Sequence, residues 1–161
     1  LHPDTPLGGA PKPFSDDQWP QIRARLVSLA QRVGVPIDPP RRNVNSRMAL
    51  EIGELVRDAR GDDAMRDFHH AISRAFFVDG ANIAEAGVVE RFAAEAGVVQ
   101  KLVRTAWRER RFRAAVDASI ASSVERGVQG VPAYGFADGP IISGMMEPRA
   151  ILRGLSAGPS P

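Results

Sequence analysis

The sequence has 161 residues, 43% apolar and 25% charged, enough to bury a core in one domain or in one domain carrying an insertion. No apolar run approaches the roughly 20 residues of a membrane-spanning helix, and a net charge of +2, from 21 Lys and Arg against 19 Asp and Glu, demands no nucleic-acid partner. Cysteine is absent, which removes disulfides, thiolate metal sites and a cysteine nucleophile from these residues. Residues 1–14, with Pro3, Pro6, Pro11, Pro13, Gly8 and Gly9, read as a loop after the tail of a strand. The first residues, Leu1-His2-Pro3-Asp4-Thr5-Pro6, carry neither the basic nor the apolar region of an export signal.

Ser15-Asp16-Asp17-Gln18 has the spacing of a capping box, with Phe14 and Trp19 placed as a hydrophobic staple and Pro20 as the alternative first helical residue. The helix that follows carries Ile22, Leu26, Leu29 and Val33, and Gly34 stands where a left-handed cap ends it. Val35-Pro36-Ile37-Asp38-Pro39-Pro40 cannot continue it, and Asn43 or Asn45 caps a second helix that runs to about Gly61 with Met48, Ile52, Leu55 and Ala59 as its stripe. Asp62 or Asp63 caps a third, with Met65, Phe68, Ile72 and Phe76 buried and Asp79-Gly80 at its close. A helix around Glu85–Ala96 presents Val88, Val89 and Phe92. Gly97 breaks it, and a basic helical stretch from Val99 to Arg126 follows, with Phe112, Val116, Ile120 and Val124 at every fourth position.

The period then changes. Ala133–Phe136 and Pro140–Ser143 flank the turn signal Ala137-Asp138-Gly139 and read as a hairpin. Pro148 opens a last helix with Ala150, Ile151, Leu152 and Leu155, and Gly158-Pro159-Ser160-Pro161 is a frayed tail. An isolated two-stranded hairpin is marginal in water, so a further strand or a covering layer should pair with it.

Candidate chemistry is sparse. His69 and His70 are adjacent on a helix and point about 100° apart, so they cannot form the i, i+4 pair of a helical metal site; one is expected near the core and the other wet. Asp58, Asp62, Asp63 and Asp67 could pair carboxylates, but capping and the helix dipole explain them more cheaply. Lys101, Arg104, Arg108, Arg110, Arg111 and Arg113, interleaved with Trp107 and Phe112, resemble a nucleic-acid face. Glu109 and the near-neutral total disfavour that partner and favour an exposed helix with Phe112 turned inward. Met145-Met146 beside Tyr134 and Phe136 would suit an apolar groove, and Ser143-Gly144 reads as a strand end. His2 carries no readable role, and no metal site is expected.

Two stretches carry a family resemblance. Residues 73–83, Ser-Arg-Ala-Phe-Phe-Val-Asp-Gly-Ala-Asn-Ile, with Val88-Val89-Glu90-Arg91-Phe92-Ala93-Ala94-Glu95-Ala96-Gly97, resemble the helical insertion of cytoplasmic DsbA-family thioredoxin-fold proteins. Gly127-Val128-Gln129-Gly130-Val131-Pro132-Ala133-Tyr134-Gly135-Phe136, with Ile142-Ser143-Gly144 and Ile151-Leu152, resembles the same family's cis-proline loop, hairpin and closing helix. Pro39, Arg41, Asn43, Asn45, Met48 and Ala49 resemble the start of the insertion, and Leu1-His2-Pro3-Asp4 the end of the second strand.

The resemblance implies an α/β chain, a thioredoxin-like fold with a large helical insertion, whose N-terminal strand and helix, with the Cys-x-x-Cys motif, precede Leu1. It divides the chain into 1–14, the end of the N-terminal half and its loop; 15–126, the insertion; and 127–161, the C-terminal half. It further implies a cytoplasmic thiol–disulfide oxidoreductase or isomerase acting on protein or peptide substrates. Its catalytic cysteines would lie outside this chain, which alone should be redox-inactive. Val131 and Pro132 would shape the substrate site through a cis bond, with no cofactor, no membrane partner and homodimerisation open. The alternative is a glutathione-dependent isomerase or transferase similar to 2-hydroxychromene-2-carboxylate isomerase, with serine in place of the first cysteine. A non-catalytic binding or dimerisation module using an open sheet edge is the reading from another class.

Overall fold

Apolar side chains repeating every three or four residues from 48 to 106 must turn to one side of each helix, and they close a single core. The computed structural model describes residues 4–6, 9–12, 14–136 and 139–156. It forms two compact units, Leu1–Val116 and Asp117–Pro161. In the first, β1 (Ala10–Pro11) leads to α1 (Trp19–Arg32), and β2 (Arg42–Asn43) to α2 (Arg47–Arg60) and α3 (Asp62–Phe77). Then come α4 (Ala86–Glu95), α5 (Gln100–Arg108) and the start of α6 (Arg113–Glu125). The second unit holds the rest of α6, then β3 (Ala133–Tyr134), β4 (Ile142–Ser143) and α7 (Pro148–Ser156). The described residues are mostly helical, with short strands paired two by two.

Helix α2 packs against α3, α4 and α5 and is the hub of the first unit. Ile52, Leu55, Val56, Phe68, Ile83, Val89 and Val103 are nearly or wholly excluded from solvent, each such side chain stabilising the fold by about 1.5–3 kcal/mol. Close approach of α2 and α3 requires Gly53, because a Cβ there would lie 2.8 Å from Nε2 of His69.

The helix ends follow backbone chemistry that the sequence announces in part. Ser15 and Gln18 form the reciprocal capping box, Ser15 N–H donating to Gln18 Oε1 at 3.1 Å and Gln18 N–H to Ser15 Oγ at 3.3 Å, one turn ahead of regular α1. Gly34 has φ +69, and the amides of Gly34 and Val35 donate to the carbonyls of Gln31 and Ala30, the paired bonds of a Schellman cap. The same pair of bonds closes α4 at Gly97 and α5 at Arg110. Arg110, at φ +53, is the only non-glycine with positive φ among the described residues.

That residue corrects the expectation of one helix from Val99 to Arg126. Neither Gly nor Pro interrupts residues 99–126, yet the chain turns at Arg110 because its side chain is held elsewhere. Its guanidinium lies 4.1 Å from the ring centre of Trp107 and donates to Glu51 Oε1 at 2.6 Å, while Glu51 is only 1% exposed. A second clamp joins α4 to α5. Arg104 donates through Nε and an Nη to the two carboxylate oxygens of Glu90, each at 2.9 Å, and Gln100 adds a third bond at 2.6 Å. These bonds, Arg104's first, hold the Glu90 carboxyl below its ordinary 4.5 against the opposing effect of burial.

Other expectations are corrected in detail. Val56, not Ala59, completes the α2 stripe, since Ala59 is exposed and Val56 fully buried. Gly61 at φ +89 stands at the N-cap of α3, and Asp62 and Asp63 occupy its first turn, paired with Arg57 and Arg66. Residues 1–14 are not all loop after a strand tail: Ala10 and Pro11 pair antiparallel with Asn43 and Arg42. Strands of two residues are too short for a period-two pattern to register. The hairpin strands are shorter than Ala133–Phe136 and Pro140–Ser143, with Ala133 opposite Ser143 and Tyr134 opposite Ile142. Leu1-His2-Pro3, Ala137-Asp138 of the turn and the Gly158–Pro161 tail lie outside the described residues.

Removing the cation from a buried pair leaves an uncompensated charge. Arg110→Ala should therefore cost about 3 kcal/mol in urea unfolding. Arg110→Gly should cost about 1 kcal/mol less than Arg110→Ala, because glycine releases the left-handed backbone penalty. Wild-type stability in Arg110→Ala would show that the pair does not hold the α5–α6 turn.

Candidate functional site

Helix α6 is capped at Gly127, whose φ of +83 and amide bond to Val124 O, with Val128 N–H on Ser123 O, turn the chain toward the β3–β4 hairpin. The Val131-Pro132 peptide bond is cis. The Pro132 carbonyl accepts from Gly144 N–H at 2.9 Å, which ties the turn before β3 to the end of β4. Gly144 has φ +97, a conformation that other residues rarely adopt. Val131 is 84% exposed, and among the described residues its amide and carbonyl make no hydrogen bond.

Behind this turn the rings of Tyr134 and Phe136 lie parallel, 6.5 Å between centres. Gly154 on α7 faces Phe136 so closely that a Cβ would meet the ring at 2.7 Å. Ile142, Met145, Leu152 and Leu155 are all exposed, whereas Met146 is half-buried. The second unit thus combines a backbone with open hydrogen-bonding groups and an uncovered apolar surface, the two features by which an extended peptide is held.

The other sequence candidates are dispersed. Asp58, Asp62 and Asp63 are engaged by Arg111, Arg57 and Arg66, and Asp67 is exposed. Among the described residues no three His, Asp or Glu side chains converge to hold a metal. Of the basic stretch, Arg104, Arg110 and Arg111 bind Glu90, Glu51 and Asp58, and Phe112 packs against the core. His70 is exposed and His69 half-buried, edge-on to Phe68. Burial pushes His69 below its ordinary 6.5, with Glu54 pulling upward and Arg57 and His70 adding to the depression. Sequence periodicity does not show the Phe136–Gly154 contact, because it joins a loop to a helix 18 positions away.

Helices followed by a hairpin and a closing helix define a thioredoxin-like protein with a helical insertion. The chain matches the DSBA-like thioredoxin domain over residues 1–155 and belongs to that family. A solved structure from Nitrosomonas europaea, described as "a putative protein disulfide isomerase", shares the fold with a TM-score of 0.69 at 18% identity. The match covers 92% of this chain and 76% of that one. No curated protein matches the sequence significantly.

Because His69 binds its proton less readily folded than unfolded, the stability it contributes is complete above its unfolded value near 6.5. That contribution is lost as pH falls through the lower folded value. NMR titration should place His69 below the ordinary histidine value. Gly53→Ala, which displaces the His69 ring, should bring its titration back toward the ordinary value; an unmoved His69 titration in that variant would contradict the contact.

At the hairpin, Gly154→Ala should lower stability by about 1–3 kcal/mol through overpacking, with the Phe136 ring resonances displaced. Unchanged resonances would contradict the close approach.

Proposed function

We propose that the chain serves thiol–disulfide exchange on protein substrates, and that the turn at Val131-Pro132 is where substrate polypeptide lies. The observation that supports this most is the exposed Val131, whose backbone makes no hydrogen bond among the described residues, in a member of the DSBA-like thioredoxin family. In exchange, a thiolate attacks one sulfur of a disulfide, forms a mixed disulfide and expels the other sulfur as thiolate. These 161 residues hold no thiol, so the reacting sulfurs belong to polypeptide outside them, and this chain contributes substrate placement. The cytoplasm is the compartment in this reading, on the sequence resemblance to that branch alone.

A second reading, carried by the sequence resemblance alone, is that glutathione brings the thiol and the family's isomerase or transferase chemistry follows. In that case the exposed apolar surface of the second unit would take a small electrophile instead of an extended peptide.

A photo-crosslinking residue in place of Val131 separates the two. With a reduced, unfolded protein as bait, irradiation should give a covalent adduct from position 131, and little from the same probe in place of exposed Lys101. Equal yields from both positions, or none from 131, would overturn the substrate-facing role.

A further inference from the structure

A cavity of about 330 Å³ lies in the first unit, remote in sequence from the hairpin, between the segment after α1 and the C-terminal half of α3. Val35, Pro36 and Ile37 form one wall; Phe77 and Val78 form the other. The walls are joined by the amide of Asp38, which donates to the Phe77 carbonyl at 2.6 Å, so the groove is part of the folded backbone. Val35 and Phe77 remain 55% and 36% exposed, leaving apolar surface that no described residue covers.

Its rim has one sign of charge. His70, Ser73 and Arg74 line the groove, and His70 and Arg74 stand one helical turn apart on α3. Arg74 carries no ion pair among the described residues. The acid nearest in the opposite wall, Asp38, is already bound by Arg23 at 2.8 Å. An apolar trough of this size, at the lower end of small-molecule sites, with a hydroxyl and an open guanidinium at its edge fits a small ligand with an apolar body and an anionic end.

We propose that this groove binds a small aliphatic or aromatic monocarboxylate, its hydrocarbon between Val35, Ile37 and Phe77 and its carboxylate on Arg74 and Ser73. Guanidinium is the fitting partner, since its fork matches both carboxylate oxygens and it stays charged at every physiological pH. The site is independent of the substrate turn: nothing in it requires a thiol or the second unit.

The probe is octanoate below its micellar concentration, added to the isotope-labelled full chain and followed by NMR. Saturable shifts are expected at Val35, Ile37, Phe77 and Val78. Octanol and octylammonium, with the same chain and no negative charge, should bind roughly five- to tenfold more weakly. Arg74→Gln, a change at an exposed position that should leave the circular dichroism spectrum intact, should reduce octanoate to the level of octanol. The proposal is overturned by absence of saturable shifts at these residues, by equal affinity for the three probes, or by undiminished octanoate binding to Arg74→Gln.

Discussion

The first unit depends on one buried charge and the residue that answers it. Glu51 sits on α2, the helix that touches three others, and is sealed from water. An ionised carboxylate in that position is tolerable only with a cation brought to it. Arg110 is brought there by a turn that places an arginine in the backbone conformation normally given to glycine, and Trp107 supports its guanidinium from the preceding helical turn. One interaction therefore sets where α5 stops and α6 starts. The Glu90–Arg104–Gln100 cluster repeats the device nearer the surface, fixing α4 against α5.

Much of this was legible in the sequence because it is local. Stripes at every third or fourth residue located α2, α3 and α4, and the glycines at 34, 80 and 97 mark left-handed turns in the structure. The Ser15–Gln18 pair did what its spacing announces. What stayed hidden is non-local or too short for periodicity. The α5–α6 break comes from a partner 59 positions away in sequence, and β1 and β2 pair through two residues each across a whole helix. Asp62 and Asp63 look like caps, but Gly61 holds that place and the two acids face arginines instead.

Of the candidate site, Val131 and Pro132 could be singled out only by family resemblance, since a Gly-Val-Pro tripeptide alone opens many strands. The structure adds what resemblance does not contain: Gly144 anchors the Pro132 carbonyl, and Val131 is left uncovered. Gly154 gives Phe136 its place behind them. The distribution of apolar surface differs between the two units. The first encloses its large side chains, with Phe68, Ile52 and Leu55 nearly inaccessible, while the second leaves Val131, Met145, Leu152 and Leu155 mostly in solvent. That open apolar surface is what the proposed peptide-binding role rests on.

The proposal that matters most is that this chain serves thiol–disulfide exchange although its own residues include no cysteine. Intact mass of the protein isolated from its native source, measured before and after reduction and each time after thiol alkylation, tests it most directly. The account predicts two alkyl groups taken up only after reduction, the signature of a disulfide that opens to a reactive pair. A protein that takes up none in either state would contradict it.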